Sequence, residues 1–180
     1  MNLWSKLLIC TCLLFTFHLP VQANNTIPKQ VVNIKGNSNL KELVTGSTLI
    51  VYGWLNTSHQ EQPLDQSVQS GKLVNFVQRF HVQKYLKGSS SQIISVLSTG
   101  IDPLPEPSDP NNKVFPGPMS EGRYVAFLKP VPGTKYYTIV GGWQGVYPVH
   151  EGKTVSLEGE GFPELNQLTI KQFERKIKSI

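Results

Sequence analysis

Residues 73–86 read LVNFVQRFHVQKYL. One alternating phase carries Val74, Phe76, Gln78, Phe80, Val82, Lys84 and Leu86; the other carries Leu73, Asn75, Val77, Arg79, His81, Gln83 and Tyr85. Successive side chains of a strand point to opposite faces. Alternation over this length therefore predicts one long strand with a single buried face, curved around a barrel. Lys87-Gly88-Ser89 then turns the chain, and Gln92–Thr99 (QIISVLST) pairs back along it.

Upstream, Thr48–Thr57 (TLIVYGWLNT) is dense in β-branched and aromatic residues and reads as a second strand. Gly53 in its middle predicts a bulge or sharp coil, as a barrel needs. His59–Gly71 (HQEQPLDQSVQSG) reads as a polar loop. Before the strand, Asn39 stands three residues ahead of Glu42, the spacing of a capping box, so Asn39–Val44 is expected to form a short helix closed by Gly46. Residues 24–38 are polar and irregular apart from an apolar pulse at Val31–Ile34.

Downstream, residues 102–118 (DPLPEPSDPNNKVFPGP) are crowded with prolines. Each proline removes an amide donor, which excludes a central strand and predicts an exposed, stiffened loop. Arg123–Lys129, Lys135–Val140, Gln144–His150 and Lys153–Leu157 read as further strands, the last two joined by a turn at Glu151-Gly152. Between Tyr136 and Lys153 the chain reads YYTIVGGWQGVYPVHEGK. Gly141 and Gly142 free the backbone to bend, and Gly145 permits close approach of another backbone. Trp143 then plugs the barrel end or sits on its rim. Thr169 and Gln172 form a second capping box, and Ile170, Phe173, Ile177 and Ile180 fall on one face of a C-terminal helix over residues 169–180. That face is expected to dock on the barrel. The fold class is all-β: a small OB-like barrel of about six to seven strands with a short N-terminal helix and a C-terminal helix, one domain over residues 39–180.

The N-terminus carries an address. Lys6 precedes an uncharged run, LLICTCLLFTFHL, over residues 7–19, followed by Pro20 and a small-residue pattern ending at Ala23. This is the layout of a cleavable secretory signal over residues 1–23, too short for a stable membrane span. Cys10 and Cys12 lie inside the run behind Ile9 and Thr11, which does not suit lipid attachment, and both leave with the signal. A secreted or extracytoplasmic protein without cysteine is expected, held together by its core alone. The formal net charge of +5 is mild and its Lys and Arg residues are scattered, so there is no nucleic-acid footprint.

The motif order NLKELVTGSTLIVYGWL, FHVQKYLKG, EGRYVAFLKP, YTIVGGWQGVYPV and LTIKQFERKI resembles that of small exported bacterial proteins of unknown function. Their fold is similar to the OB-like barrel of tissue inhibitors of metalloproteinases and of netrin modules. The resemblance spans Asn39–Ile180 and implies the barrel rather than an activity. Those inhibitors chelate the enzyme's zinc through an N-terminal cysteine. The expected start here is Asn24, and no cysteine follows it, so that mechanism has no residue to rest on.

Catalytic patterns are missing from the sequence. No Ser stands in G-x-S-x-G, and His59, His81 and His150 lack metal-ligand spacing. Ser70-Gly71-Lys72 has Gln66 where a phosphate loop needs its first glycine. Asp109 would begin a calcium loop only if Lys113, Val114 and Ser120 were other residues. No metal and no cofactor is implied. The expected function is non-catalytic binding through a surface that includes Trp54, Arg79, His81, Trp143 and Tyr147, since aromatic residues and arginine dominate interfaces. An extracytoplasmic protein partner is preferred. The alternatives are a cell-wall glycan or anionic polymer, and a hydrolase whose carboxylates converge from the 59–71 and 102–118 loops.

Overall fold

The computed structural model describes residues 26–32 and 34–180. The expected signal segment, its cleavage point and both cysteines lie outside the described residues. Helix α1 (Leu40–Gly46) leads into strands β1 (Leu49–Val68), β2 (Gly71–Lys87) and β3 (Ile93–Asp102). A one-turn helix α2 (Asn111–Val114) interrupts the proline-rich connection to β4 (Gly122–Pro130). Strands β5 (Tyr137–Ile139), β6 (Val146–His150) and β7 (Lys153–Thr154) follow, and helix α3 (Ile170–Lys178) comes last.

Pairing runs β1–β2–β3–β5–β4 and returns from β4 to β1, so five strands close into an OB-like barrel. The β3–β5 contact is parallel and the other ring contacts are antiparallel. Strands β6 and β7 extend the sheet from β4. The expected bulge is present at Gly53: Tyr52 pairs with Lys84 but Gly53 with Val82, leaving Gln83 over. Gly145 likewise allows the close approach expected of it, because a Cβ there would overlap the Val140 carbonyl.

The strands expected at Gln144–His150 and Lys153–Leu157 are shorter, since Gln144 and Gly145 lie in a 3₁₀ turn and β7 ends at Thr154. Two larger expectations change. Residues 59–71 are strand rather than loop: β1 runs on to Val68 and turns at Gln69-Ser70 into β2. β4 stops pairing with β1 at Leu55, so His59–Val68 pairs with β2 alone and forms a free edge. Its polar composition reflects that exposure, and Pro63 is tolerated because an edge residue has a donor to spare. The second change concerns β2. Leu73–Gln78 is buried on both faces, because residues 27–32 cross its outer side. Asn75, wholly buried, donates to the carbonyls of Pro28 (2.7 Å) and Gln30 (2.9 Å) and accepts from Thr99 Oγ1 (2.6 Å). Thr99 Oγ1 in turn accepts from the Val32 amide at 2.9 Å. The segment is irregular, as expected, but it is docked.

The apolar core lies in two main layers. The barrel interior gathers Leu49, Val51, Leu55, Phe80, Val96 and Leu128, closed near one end by Met119. Gln78 fixes that closure by donating to the Asn56 and Met119 carbonyls at 3.0 and 2.8 Å and accepting from the Met119 amide at 2.8 Å. Outside the ring, Ile50, Val125, Phe127 and Tyr147 meet Leu43 of α1 and Phe173 and Ile177 of α3. Both helices carry the expected caps: Asn39 accepts from the Glu42 amide, and Thr169 with Gln172 forms the capping box. No described helix is long and apolar enough to cross a membrane.

Glu174 ties α3 to the barrel. It accepts from Lys178 (2.8 Å) one turn on and from Lys84 of β2. The Lys178 and Lys84 hydrogen bonds hold its carboxyl at about 2, below the ordinary 4.5. A carboxylate depressed in the folded state stabilises the fold above its unfolded pKa, and this stability fades as pH falls through the folded one. Glu174→Gln is therefore expected to flatten part of the stability loss between about pH 4.5 and pH 2, read by denaturant melts across that window. An acid limb identical to that of the parent protein would remove the ion pair from the account.

Candidate functional site

The outward row that crosses the bulged region is set by register. Trp54 of β1 pairs with His81 of β2 on one side and with Arg123 of β4 on the other. His81 pairs in turn with Ile93 at the start of β3. Four strands thus bring Ile93, His81, Trp54 and Arg123 abreast. Their inward neighbours Leu55 and Phe80 are wholly buried, whereas Ile93 is 53% exposed and Arg123 is exposed. Trp54 belongs to none of the four apolar clusters. Its indole N–H donates to Glu121 Oε1 at 3.2 Å, and the Thr57 hydroxyl donates to the other oxygen of that carboxylate at 2.7 Å. The ring is therefore half-exposed but held in orientation.

Arg79 is on the same phase of β2 as His81, two residues back, opposite Ser95 of β3. The register slip between Leu55 and His59 leaves residues 56–58 unpaired with β2, and this opens a cleft beside Arg79. The cleft has a volume of about 250 Å³ and is lined by Asn56, Ser58, Arg79, Ser95 and Lys135 among others. His59 borders it. Its Nδ1 is 3.0 Å from the Thr57 carbonyl and its Nε2 is 2.8 Å from Glu61. These two hydrogen bonds raise its pKa, the carbonyl contributing most, while partial burial opposes them.

Of the five residues expected from sequence, three are brought together: Trp54, His81 and Arg79. Two are not. Tyr147 is wholly buried between the barrel and α3, with its ring 5.9 Å from Phe127 and 5.6 Å from Phe173. Its hydroxyl accepts from the Phe162 amide at 3.1 Å, and burial pushes its pKa up. Tyr147 is a core residue, and its place in a surface is corrected. Trp143 lies in the 3₁₀ turn Gly142–Gly145, which leaves the edge of β4 between Val140, whose amide donates to the Phe127 carbonyl, and Val146, which pairs with Ala126. This is three to four residues along β4 from Arg123, the partner of Trp54, or roughly 12 Å at ~3.3 Å per residue. Trp143 is half-buried, and its indole N–H donates to the Asn112 carbonyl at 2.8 Å, pinning α2 and the proline-rich connection. It is a separate anchor, not a member of the row.

Sequence reasoning missed Arg123, Ile93, Ser95 and Lys135. Only the strand register and the return of the β4–β5 connection reveal them. The charged pair Glu121 and Arg123, two residues apart ahead of the apolar run Val125–Leu128, was the one available signal for Arg123.

One carboxylate of the proline-rich connection, that of Asp109, has a structural use. Asp109 accepts from the Ser70 hydroxyl and from the Asn111 amide (2.8 Å), and these hydrogen bonds lower its pKa, Ser70 first. It thereby ties the β1–β2 turn to α2. Among the described residues, no group of three or more His, Cys, Asp or Glu residues is placed to hold a metal ion. The chain matches no protein family, no curated protein and no solved structure.

Proposed function

We propose that this is a non-catalytic binding protein that acts outside the cytoplasm, exported by residues 1–23, and that it recognises another extracytoplasmic protein through the outer face around Trp54. One observation carries this reading: Ile93, His81, Trp54 and Arg123 stand abreast on rigid, paired strands with no core packing over the indole. An aromatic anchor between histidine and arginine, with an exposed aliphatic side chain one strand further out, suits an interface centre, where aromatic residues and arginine are enriched. The Glu121 bond to the indole adds to this by reducing the rotamer freedom that binding must otherwise remove.

The test is retention of secreted proteins and, separately, of washed cell wall by the immobilised chain from Asn24 onward, at low and physiological salt. A discrete protein held at both salts is expected. Retention by wall alone, lost as salt rises, would instead favour an anionic polymer, because the screening length shrinks from about 30 Å at low salt to about 8 Å at physiological ionic strength. Retention in neither fraction would turn attention to the hydrolase alternative and its substrates.

A further inference from the structure

The cleft beside Arg79 is electrostatically one-sided. Arg79 and Lys135 both line it, no carboxylate does, and neither cation makes an ion pair among the described residues. The nearest acid on the lining strands, Glu61, is engaged by His59 at 2.8 Å. Lys135 also lies 5.8 Å from the centre of the Tyr136 ring. The remaining lining is rich in neutral hydrogen-bonding groups: the hydroxyls of Ser58 and Ser95 and the amide of Asn56. Cations left unpaired by protein acids, beside hydroxyl and amide groups in one concavity, make a receptor for an anion. The guanidinium supplies a planar fork suited to two oxygens of one group, and the ammonium supplies a point charge.

We infer that this cleft binds a tetrahedral oxyanion, a phosphate or sulfate ester, with Arg79 as the forked donor, Lys135 as the second charge and Ser95 as a hydroxyl ligand. Its volume of about 250 Å³ exceeds what a bare ion fills, leaving room for the small polyol or sugar that bears the group. Three elements build it: the irregular stretch of β1, the β2–β3 face, and the connection entering β5. The site does not rest on the protein-partner reading, since an oxyanion can bind whether or not Trp54 contacts a protein.

The experiment is an amide-resolved NMR titration of the folded chain with sodium phosphate, glycerol phosphate and, as the uncharged control, glycerol, at constant ionic strength in chloride. Saturable shifts confined to residues 56–59, 79, 95 and 135–136 are expected with both phosphates and not with glycerol. Tighter binding of glycerol phosphate would assign the site to an ester; equal binding would assign it to the free ion, with the oxyanion chemistry intact. Arg79→Ala should weaken binding about tenfold or more, as expected for loss of charge-assisted hydrogen bonds. Arg79→Lys should recover only part of it, because the fork is lost. Lys153→Ala, in β7, which pairs with β6 and contributes nothing to the cleft lining, should change nothing. Arg79 and Lys135 are exposed, so the variants are expected to fold, and their unperturbed spectra would verify it. Shifts spread over the surface lysines without saturation, or an Arg79→Ala protein with unchanged affinity, would overturn the inference.

Discussion

Gly53→Ala is expected to lower folding stability by about 3 kcal/mol or more, at the upper end of what overpacking costs. At the bulge the Gly53 backbone lies directly on its neighbour strand. A methyl there would overlap the His81 carbonyl oxygen and come within 2.8 Å of Phe80 Cε1. Neither can retreat easily. His81 is paired with Ile93, the Val82 amide donates to the Gln92 carbonyl at 2.8 Å, and Phe80 is wholly buried. The strain is steric rather than conformational, because Gly53 is not among the residues with positive φ. Urea unfolding should show a lower midpoint with an unchanged slope. A loss below about 1 kcal/mol would mean that the bulge moves to another register, and the row containing Trp54 would move with it.

Phe173→Ala should cost about 3–5 kcal/mol, the range for truncating a buried aromatic side chain. The ring has no exposed surface and packs 6.0 Å from Phe127 and 5.6 Å from Tyr147, so its removal leaves a cavity between α3 and the barrel. A rigid barrel wall on one side limits how far that cavity can collapse. For a domain whose whole stability is on the order of 5–15 kcal/mol, such a loss would leave the protein marginal. Denaturant or thermal unfolding of the variant provides the check. If α3 were instead a basic amphipathic helix kept free for a membrane surface, the same substitution would leave unfolding nearly unchanged.

What could be read from sequence followed local physics. The length of β2 was legible because one phase of LVNFVQRFHVQKYL is mostly apolar from Val74 to Leu86, through Phe76, Phe80 and Val82, and no turn residue interrupts it. Both helix starts were legible because a capping side chain and its partner lie three residues apart. The Gly53 bulge was legible because a glycine inside a β-branched run has few other uses. What failed depended on distant partners. The outer half of β1 has no apolar rhythm, since only β2 pairs with it, and its polar residues resembled a loop. The second buried face of β2 is covered by Ile27 and Val32, which are remote in the chain.

The site divides along the same line. Trp54, Arg79 and His81 were legible as outward-facing residues of types common at interfaces. Their neighbours Arg123 and Ile93 are set by strand register, which alternation alone does not specify. Tyr147 misled because β6 is buried on both sides: Val146 points into the barrel core while Tyr147 sits beneath α3. Trp143 was read as a barrel-end or rim residue of the binding surface; its partner, the Asn112 carbonyl, belongs to a connection whose path proline content does not reveal.

The central claim is that the face around Trp54 is where a partner protein binds. The most direct measurement compares the affinity of a protein captured from the secreted fraction for the parent chain, for Trp54→Ala and for Lys153→Ala, each verified as folded. The account predicts that Trp54→Ala weakens binding by about 2 kcal/mol or more, roughly thirtyfold, while Lys153→Ala leaves it unchanged. Equal affinity of all three proteins for the captured partner would contradict it.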